Sequence, residues 1–289
     1  MVITDRQARD LPLDAHMHTD LSPDSSVPID VYAAAAVERG IREIAITDHV
    51  DFEPGAPAFG YSTFADRERI VRDAAERWGP QGIAIRFGVE LTYDRVWEAD
   101  IRDHLARHAY DFTIGSVHDR VDSQYHPRRV AAWVDGRPLS EIVAPSFDEV
   151  VAAARSGLFD AIGHIDGVKR YLYPHISPAA LAGAPELYEP ILRALVDSGT
   201  ALEVNTSGLR YAIGEPFPPP AIVARFRELG GRAITVGSDA HRAEHFGWGL
   251  ADGYAIAEEA GFTELTFRRG PATSRITVPM PPVGATERG

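Results

Sequence analysis

The chain of 289 residues contains no cysteine. That absence excludes disulfides and thiolate chemistry, and any metal site must be built from nitrogen and oxygen donors. Lysine is nearly absent too. Lys169 is the only one and every other basic residue is arginine, a bias of composition to which we attach little functional weight. Positive charge is scarce overall, with a formal net charge of −13. Non-specific nucleic-acid binding needs a basic footprint, so no nucleic-acid partner is expected. An anionic substrate stays open, because bound divalent ions reverse the local field. Long hydrophobic runs are missing as well: the longest, 31–37, is far too short to span a bilayer. Residues 1–6 carry no apolar run behind them, so no targeting segment is read there. These absences lead us to expect a cytoplasmic protein without a membrane partner.

What is present is ordinary in amount, with 45% hydrophobic and 25% charged residues. The length suits one large core, and a single α/β barrel is commonly of this size. Short apolar runs alternate with helix-like segments. The strands are expected at 13–18, 43–47, 84–90, 112–117, 161–165, 201–205 and 233–238, and the helices at 30–39, 65–78, 147–156, 178–198 and 220–229. Ser146-Phe147-Asp148-Glu149 reads as a capping box, and Ser177-Pro178 places proline at a first helical position. Gly40, Gly157, Gly199 and Gly230 follow their helices as left-handed caps would. Seven strand–helix alternations argue for a parallel sheet, open or closed into a barrel. No internal linker or repeat is visible. We therefore expect one domain over 1–289, with its core at about 11–270 and a loose tail from about 279. Loops 50–63 and 207–219, rich in proline, glycine and aromatics, follow strands on the side where β/α folds place active sites.

The strand ends carry the chemistry. The first ends in Asp14-Ala15-His16-Met17-His18, where alternation puts Asp14, His16 and His18 on one face. The others end in Asp48-His49, Glu90, His118, His164-Ile165-Asp166, Glu203-Val204-Asn205 and Asp239-Ala240-His241. At any isolated position such a residue is most often a turn residue, a helix cap or a satisfied core group. Jointly the pattern differs, because six of the eleven histidines fall at strand ends beside carboxylates. His104, His108, His126, His175 and His245 lie in helices or loops and read as surface or core histidines. Six histidines with Asp24, Glu90 and Asp239 exceed the four or so donors that one ion needs, so two or three ions are implied. Glu90 is the best bridging carboxylate. Such clusters serve displacement at phosphorus by metal-activated hydroxide. Asp48, Asp166 and Asp14 read as caps or as supports of neighbouring imidazoles.

Taken in order, Asp14-x-His16-x-His18-Thr19, Ser22-Pro23-Asp24-Ser25, Thr47-Asp48-His49, Gly88-Val89-Glu90, Gly115-Ser116-Val117-His118, Gly163-His164-Ile165-Asp166 and Ser238-Asp239-Ala240-His241 resemble the polymerase-and-histidinol-phosphatase (PHP) superfamily. Glu203-Val204-Asn205-Thr206-Ser207-Gly208-Leu209-Arg210 is similar to its histidinol-phosphate phosphatase branch. The resemblance spans about 13–245. It implies a distorted (β/α)7 barrel with a metal site at the C-terminal ends of its strands. It assigns His16, His18, Glu90 and Asp239 to one ion, Glu90, His118 and His164 to a second, and Asp24, His49 and His241 to a third. Asp24 stands where some relatives have histidine. Zinc, iron and manganese are all compatible with the donor set.

The resemblance further implies a small phosphorylated substrate, L-histidinol phosphate, hydrolysed in histidine biosynthesis. Arg210 is the first candidate for its phosphate, and Lys169 or Arg170 the second. Asp239 or His241 is the expected proton donor to the leaving group. Tyr61, Phe59 and Glu215 are candidates for the pocket that takes the imidazole and amine. Three alternatives remain: a related phosphoesterase acting on nucleotides or other small esters, an amidohydrolase-like hydrolase, and a non-catalytic metal-dependent binding protein. Nothing in the sequence sets the oligomeric state.

Overall fold

The computed structural model describes residues 10–118, 120 and 122–281. In chain order its strands are β1 (Asp14–Met17), β2 (Glu43–Ile46), β3 (His49–Val50), β4 (Ala84–Thr92), β5 (Phe112–Ser116), β6 (Ala161–Ile162), β7 (Ala201–Asn205), β8 (Ile234–Gly237), β9 (Glu264–Phe267) and β10 (Ile276–Pro279). Seven of these form a parallel sheet in the order β1-β2-β4-β5-β6-β7-β8, with the two-residue β3 set against β4. A parallel bridge between Met17 and Ala240 draws β1 towards the end of β8 and nearly closes a barrel. The (β/α)7 architecture expected from the sequence is present. Strands such as β2, β5 and β7 are buried along their whole length, as a sheet covered on both faces requires.

The cover consists of α1 (Ile29–Arg39), α2 (Phe64–Trp78), α3 (Glu98–Arg107), α4 (Val130–Val134), α5 (Leu139–Ser156), α6 (Lys169–Leu172), α7 (Pro178–Ala182), α8 (Glu189–Ser198), α9 (Pro220–Glu228) and α10 (Leu250–Glu259). Their apolar residues recur at helical spacing. In α8, Ile191, Leu192, Ala194 and Leu195 face inward. The Thr63 hydroxyl caps α2 by accepting from Asp66 N at 3.1 Å. Among the described residues no helix is long and apolar enough to cross a membrane.

Three sequence expectations need correction. The helix expected at 178–198 is broken into α7, a 3₁₀ turn at Pro185–Leu187 and α8, because Pro185 and Pro190 each restart the backbone at a first turn. Ser146 caps nothing: α5 begins at Leu139 and runs through Pro145, so the capping-box residues lie inside it. Finally, β9 and β10 form an antiparallel hairpin that is absent from the expected strands. It plugs the end of the barrel where the strands begin, with Phe267 against Phe112 at 4.5 Å between ring centroids. Order therefore extends beyond 270, and Met280 N still donates to Thr263 O at 3.0 Å. The expected tail falls mainly on 282–289, outside the described residues.

Candidate metal centre

At the other end of the barrel the strand termini converge. The Nε2 atoms of His16 and His18 lie 3.0 Å apart. Glu90, on β4, sits centrally. Its Oε2 is 3.4 Å from His16 Nε2, 3.3 Å from His18 Nε2 and 3.0 Å from His49 Nδ1. Its Oε1 is 3.0 Å from His164 Nε2 and 3.4 Å from His118 Nε2. Asp239 Oδ1 approaches His18 Nε2 and His241 Nδ1 at 3.4 Å each. Asp24 Oδ2 lies 3.3 Å from His49 Nε2 and 3.1 Å from His241 Nε2. All nine residues singled out in the sequence thus meet in one floor. Their compact groups are His16, His18 and Asp239; His49, Glu90 and His118; and His18, Asp24, His49 and His241. The grouping differs in detail from the one the resemblance implies: His18 and His49 each belong to two groups, and His164 reaches only Glu90. Depth is graded, from fully buried His16 and His18 to Asp24, whose side chain is 49% exposed.

The ring nitrogens facing away from the floor are largely engaged. His16 Nδ1 donates to Glu203 Oε1 at 2.6 Å, and His241 Nδ1 to the Asp239 carbonyl at 3.1 Å. Each therefore turns an Nε2 lone pair inward. His49 Nδ1 is buried with no hydrogen-bond partner despite its closeness to Glu90, as expected of a donor aimed at an ion. Charge tells the same story. Burial disfavours protonated His16, yet Glu203, Glu90 and Asp239 outweigh it and hold the ring well above its ordinary range. The same contest, with Glu90 and Asp24 as the carboxylates, pushes His49 up to about 10. His18 goes the other way, held well below by burial and by His241 and His49. Without a cation, this floor must take up protons to balance its carboxylates. The donor set and the unpartnered nitrogen fit divalent ions of the zinc, iron or manganese type.

Residues behind the floor fix its shape. Glu203, fully buried on β7, joins His16 to the backbone N–H of His164 (2.8 Å) and to Asn205 Nδ2 (3.0 Å). From sequence alone Glu203 has no assigned role; the signal for one is its position, two residues before Asn205 and on the same face. Asp14 Oδ1 accepts from Ser238 N at 2.8 Å, and Asp48 caps the 19–25 turn through Thr19 N at 2.6 Å; neither reaches the floor. Gly237 is required by close approach, since a Cβ there would lie 2.4 Å from His16 Cβ. Asp239 adopts a left-handed backbone at φ 53°, held by its N–H to His16 O (2.8 Å) and by Arg210 Nη2 to its carbonyl (2.9 Å).

A cavity of about 1020 Å³ opens above the floor. Arg170, Arg210 and Arg242 line it from the segments that follow β6, β7 and β8. Phe52, Glu53, Tyr93, Asp94, Trp97 and Glu149 also line it, from segments following β3 and β4 and from α5, and their carboxylates are paired: Arg120 meets Asp94 at 2.7 Å and Glu53 at 3.6 Å, and Arg95 meets Glu149 at 2.7 Å. Lys169 is placed elsewhere. Its buried ammonium contacts Asp166 Oδ2 (3.0 Å), Glu215 Oε1 (3.0 Å) and Pro216 O (2.7 Å), so its three donors are taken up by two carboxylates and one backbone carbonyl, and it is absent from the cavity wall. That also removes Glu215 as a pocket residue. Phe59 and Tyr61 are about half exposed and do not line the cavity either. His245, read as a surface or core residue, does line it.

The model of the PHP domain matches residues 14–207, more than half of the chain. A probable histidinol-phosphatase of Deinococcus radiodurans is 28% identical over 257 residues, covering 88% of this chain and 96% of that one. The histidinol-phosphatase of Lactococcus lactis is also 28% identical, over 260 residues, covering 88% and 93%. The crystal structure of histidinol phosphate phosphatase from Lactococcus lactis, complexed with zinc, L-histidinol and phosphate, superposes with a TM-score of 0.77 at 25% identity, covering 89% of this chain and 97% of that one. Barrel, floor and matched sequence agree: the chain belongs to the PHP domain family.

Proposed function

We propose that this chain is a metal-dependent phosphomonoesterase that hydrolyses L-histidinol phosphate to L-histidinol and phosphate. The observation that carries this reading is the cavity over the floor. Six histidines and three carboxylates lie beneath a cavity lined by Arg170, Arg210 and Arg242 and also by Phe52, Tyr93 and Trp97. Arginines suit a phosphate, and aromatic rings suit an imidazole. Similarity along nearly the full length of histidinol-phosphatases supports it. We assign His16, His18, Asp24, His49, Glu90, His118, His164, Asp239 and His241 to two or three divalent ions of unassigned identity. Such ions, when bound, polarise phosphoryl oxygens and activate water.

The chain's own residues do the rest. Arg210 keeps N–H groups beyond the two that hold the Ser238 and Asp239 carbonyls, and with Arg170 it orients the phosphate and offsets charge on its oxygens. Asp239 is pushed up by burial but pulled further down by His16, His18 and His241, which keeps it ionised and suits a ligand rather than an acid. His241 is pushed down by burial, yet Asp24 and Asp239 raise it above its ordinary range. Where it does not hold an ion, His241 would serve as proton donor to the leaving oxygen. The amidohydrolase-like alternative often uses a lysine at a strand end, and Lys169, the only lysine, is committed to Asp166, Glu215 and Pro216. We read the chain as one domain acting in the cytoplasm on a small-molecule partner.

Protein loaded with manganese or zinc is assayed for phosphate release from histidinol phosphate, a nucleoside monophosphate and an aryl phosphate. Turnover is expected to be strongest on histidinol phosphate. Activity confined to the nucleotide overturns the substrate assignment, and inertness to all three with a full metal complement overturns the enzymatic one.

A further inference from the structure

His118 is gripped from behind by residues outside the ligand set. Its Nδ1 lies 2.8 Å from Thr92 Oγ1, and Thr92 Oγ1 lies 2.5 Å from Asp51 Oδ1. Thr92 has one hydroxyl proton, and a carboxylate oxygen can only accept it. Donating to Asp51, Thr92 turns its lone pair to His118, so His118 Nδ1 must carry the ring hydrogen. The Nε2 lone pair then faces the floor, 3.4 Å from Glu90 Oε1. A hydroxyl rotated to donate to His118 instead would select the tautomer whose hydrogen points into the floor.

The other Asp51 oxygen has a different task. Oδ2 accepts from the backbone N–H of Ala58 at 3.0 Å, closing a turn over 51–58. Phe52, Glu53 and Ala58 of that turn line the cavity. One carboxylate therefore holds both the tautomer of a floor imidazole and the shape of the cavity wall.

We propose that Thr92 and Asp51 are positioning residues that set the His118 tautomer and couple ion affinity at Glu90, His118 and His164 to the closed arrangement of the 51–58 turn. The proposal rests on the reading of the floor as a metal centre, and not on which ester is the substrate. Coupling of this kind is reciprocal, so the ion should order the turn as much as the turn favours the ion.

The test compares full-length wild type with Thr92→Val, which keeps the side-chain shape and removes the hydroxyl, and Thr92→Ser, which keeps the hydroxyl. Zinc and manganese are titrated by equilibrium dialysis with elemental analysis, and hydrogen exchange is followed at Ala58 N–H with and without metal. Loss of an imidazole's outer partner typically weakens a site about 10–100-fold, so Thr92→Val should lower the affinity of one ion by that factor and leave the others unchanged. Thr92→Ser should stay within about twofold of wild type on the same scale. Metal should slow exchange at Ala58 in wild type and in Thr92→Ser, but not in Thr92→Val. Unchanged affinities in Thr92→Val, equal weakening of every ion, or Thr92→Ser as weak as Thr92→Val each overturn the relay. A wild type that takes up no divalent ion overturns the metal reading of the floor, and the relay with it. Metal uptake without turnover of histidinol phosphate leaves the relay standing and overturns the substrate assignment alone.

Discussion

Both ends of the barrel bury carboxylates at strand termini, and they differ in what those carboxylates face. Where the strands begin, Glu43 meets Arg86 Nε at 2.6 Å and Arg269 Nη2 at 2.6 Å. Asp160 meets Arg268 Nη2 at 2.7 Å and also accepts from Thr113 N, while Asp111 is gripped by both Nη atoms of Arg72. Where the strands end, Glu90 and Asp239 face imidazoles. Guanidinium is permanently charged and has no lone pair to give, so an arginine-paired carboxylate is neutralised and closed. Imidazole offers either a proton or a lone pair, so a histidine-lined carboxylate is neutralised only conditionally. The same acid holds the barrel together at one end and makes it reactive at the other.

The contrast can be broken most directly at Glu90. Glu90→Gln should cut phosphate release by about 10²–10³-fold and lower the bound metal. Retained activity and metal content would show that the floor is a structural cluster like its counterpart. At the opposite end, Asp160→Ala removes the carboxylate that Arg268 and Arg275 share, leaving them backbone carbonyls alone, and should cost about 3–5 kcal/mol in equilibrium unfolding. kcat of the folded fraction should not move; a fall in kcat would mean that the two ends are coupled.

Glu203→Gln probes the layer between the floor and the core. It leaves the backbone bond to His164 possible but removes the carboxylate that accepts from His16, so metal affinity should drop about 10–100-fold at modest cost in stability. The smallest effect concerns His104, a histidine at neither end. Burial, and then the charges of His108, Arg67 and Arg107, lower it from 6.5 to about 4, the reverse of His49 among carboxylates. The unfolded chain takes a proton on His104 below about 6.5, and the folded chain only below about 4. Its contribution is therefore complete above pH 6.5 and is lost as pH falls towards 4. His104→Gln should flatten the pH dependence of the melting temperature across that window, and an unchanged slope would assign the dependence elsewhere.

Much of the floor was legible in the sequence because His, Asp and Glu at the ends of parallel strands must share one face of a barrel. Glu203, Thr92 and Asp51 escaped for a physical reason: each is an ordinary strand or loop residue until its partner is known. His16 and Glu203 are 187 residues apart. Lys169 and Arg170 are neighbours in sequence, and only helix α6 decides that one turns into the core and the other to the cavity. Phe59 and Tyr61 looked like pocket residues from composition, yet the 51–58 turn presents Phe52 instead. The β9–β10 hairpin was missed because it closes antiparallel, outside the repeating strand–helix rhythm.

By itself, the sequence determined the donor chemistry and the alternation of elements. Without cysteine every ligand is nitrogen or oxygen, and apolar periodicity dictates parallel strands between helices. Only the tertiary structure decided which nitrogen of each ring faces inward and which carboxylates are already neutralised by arginine. Those choices are made by partners that meet through space, where lone-pair direction and local charge are set.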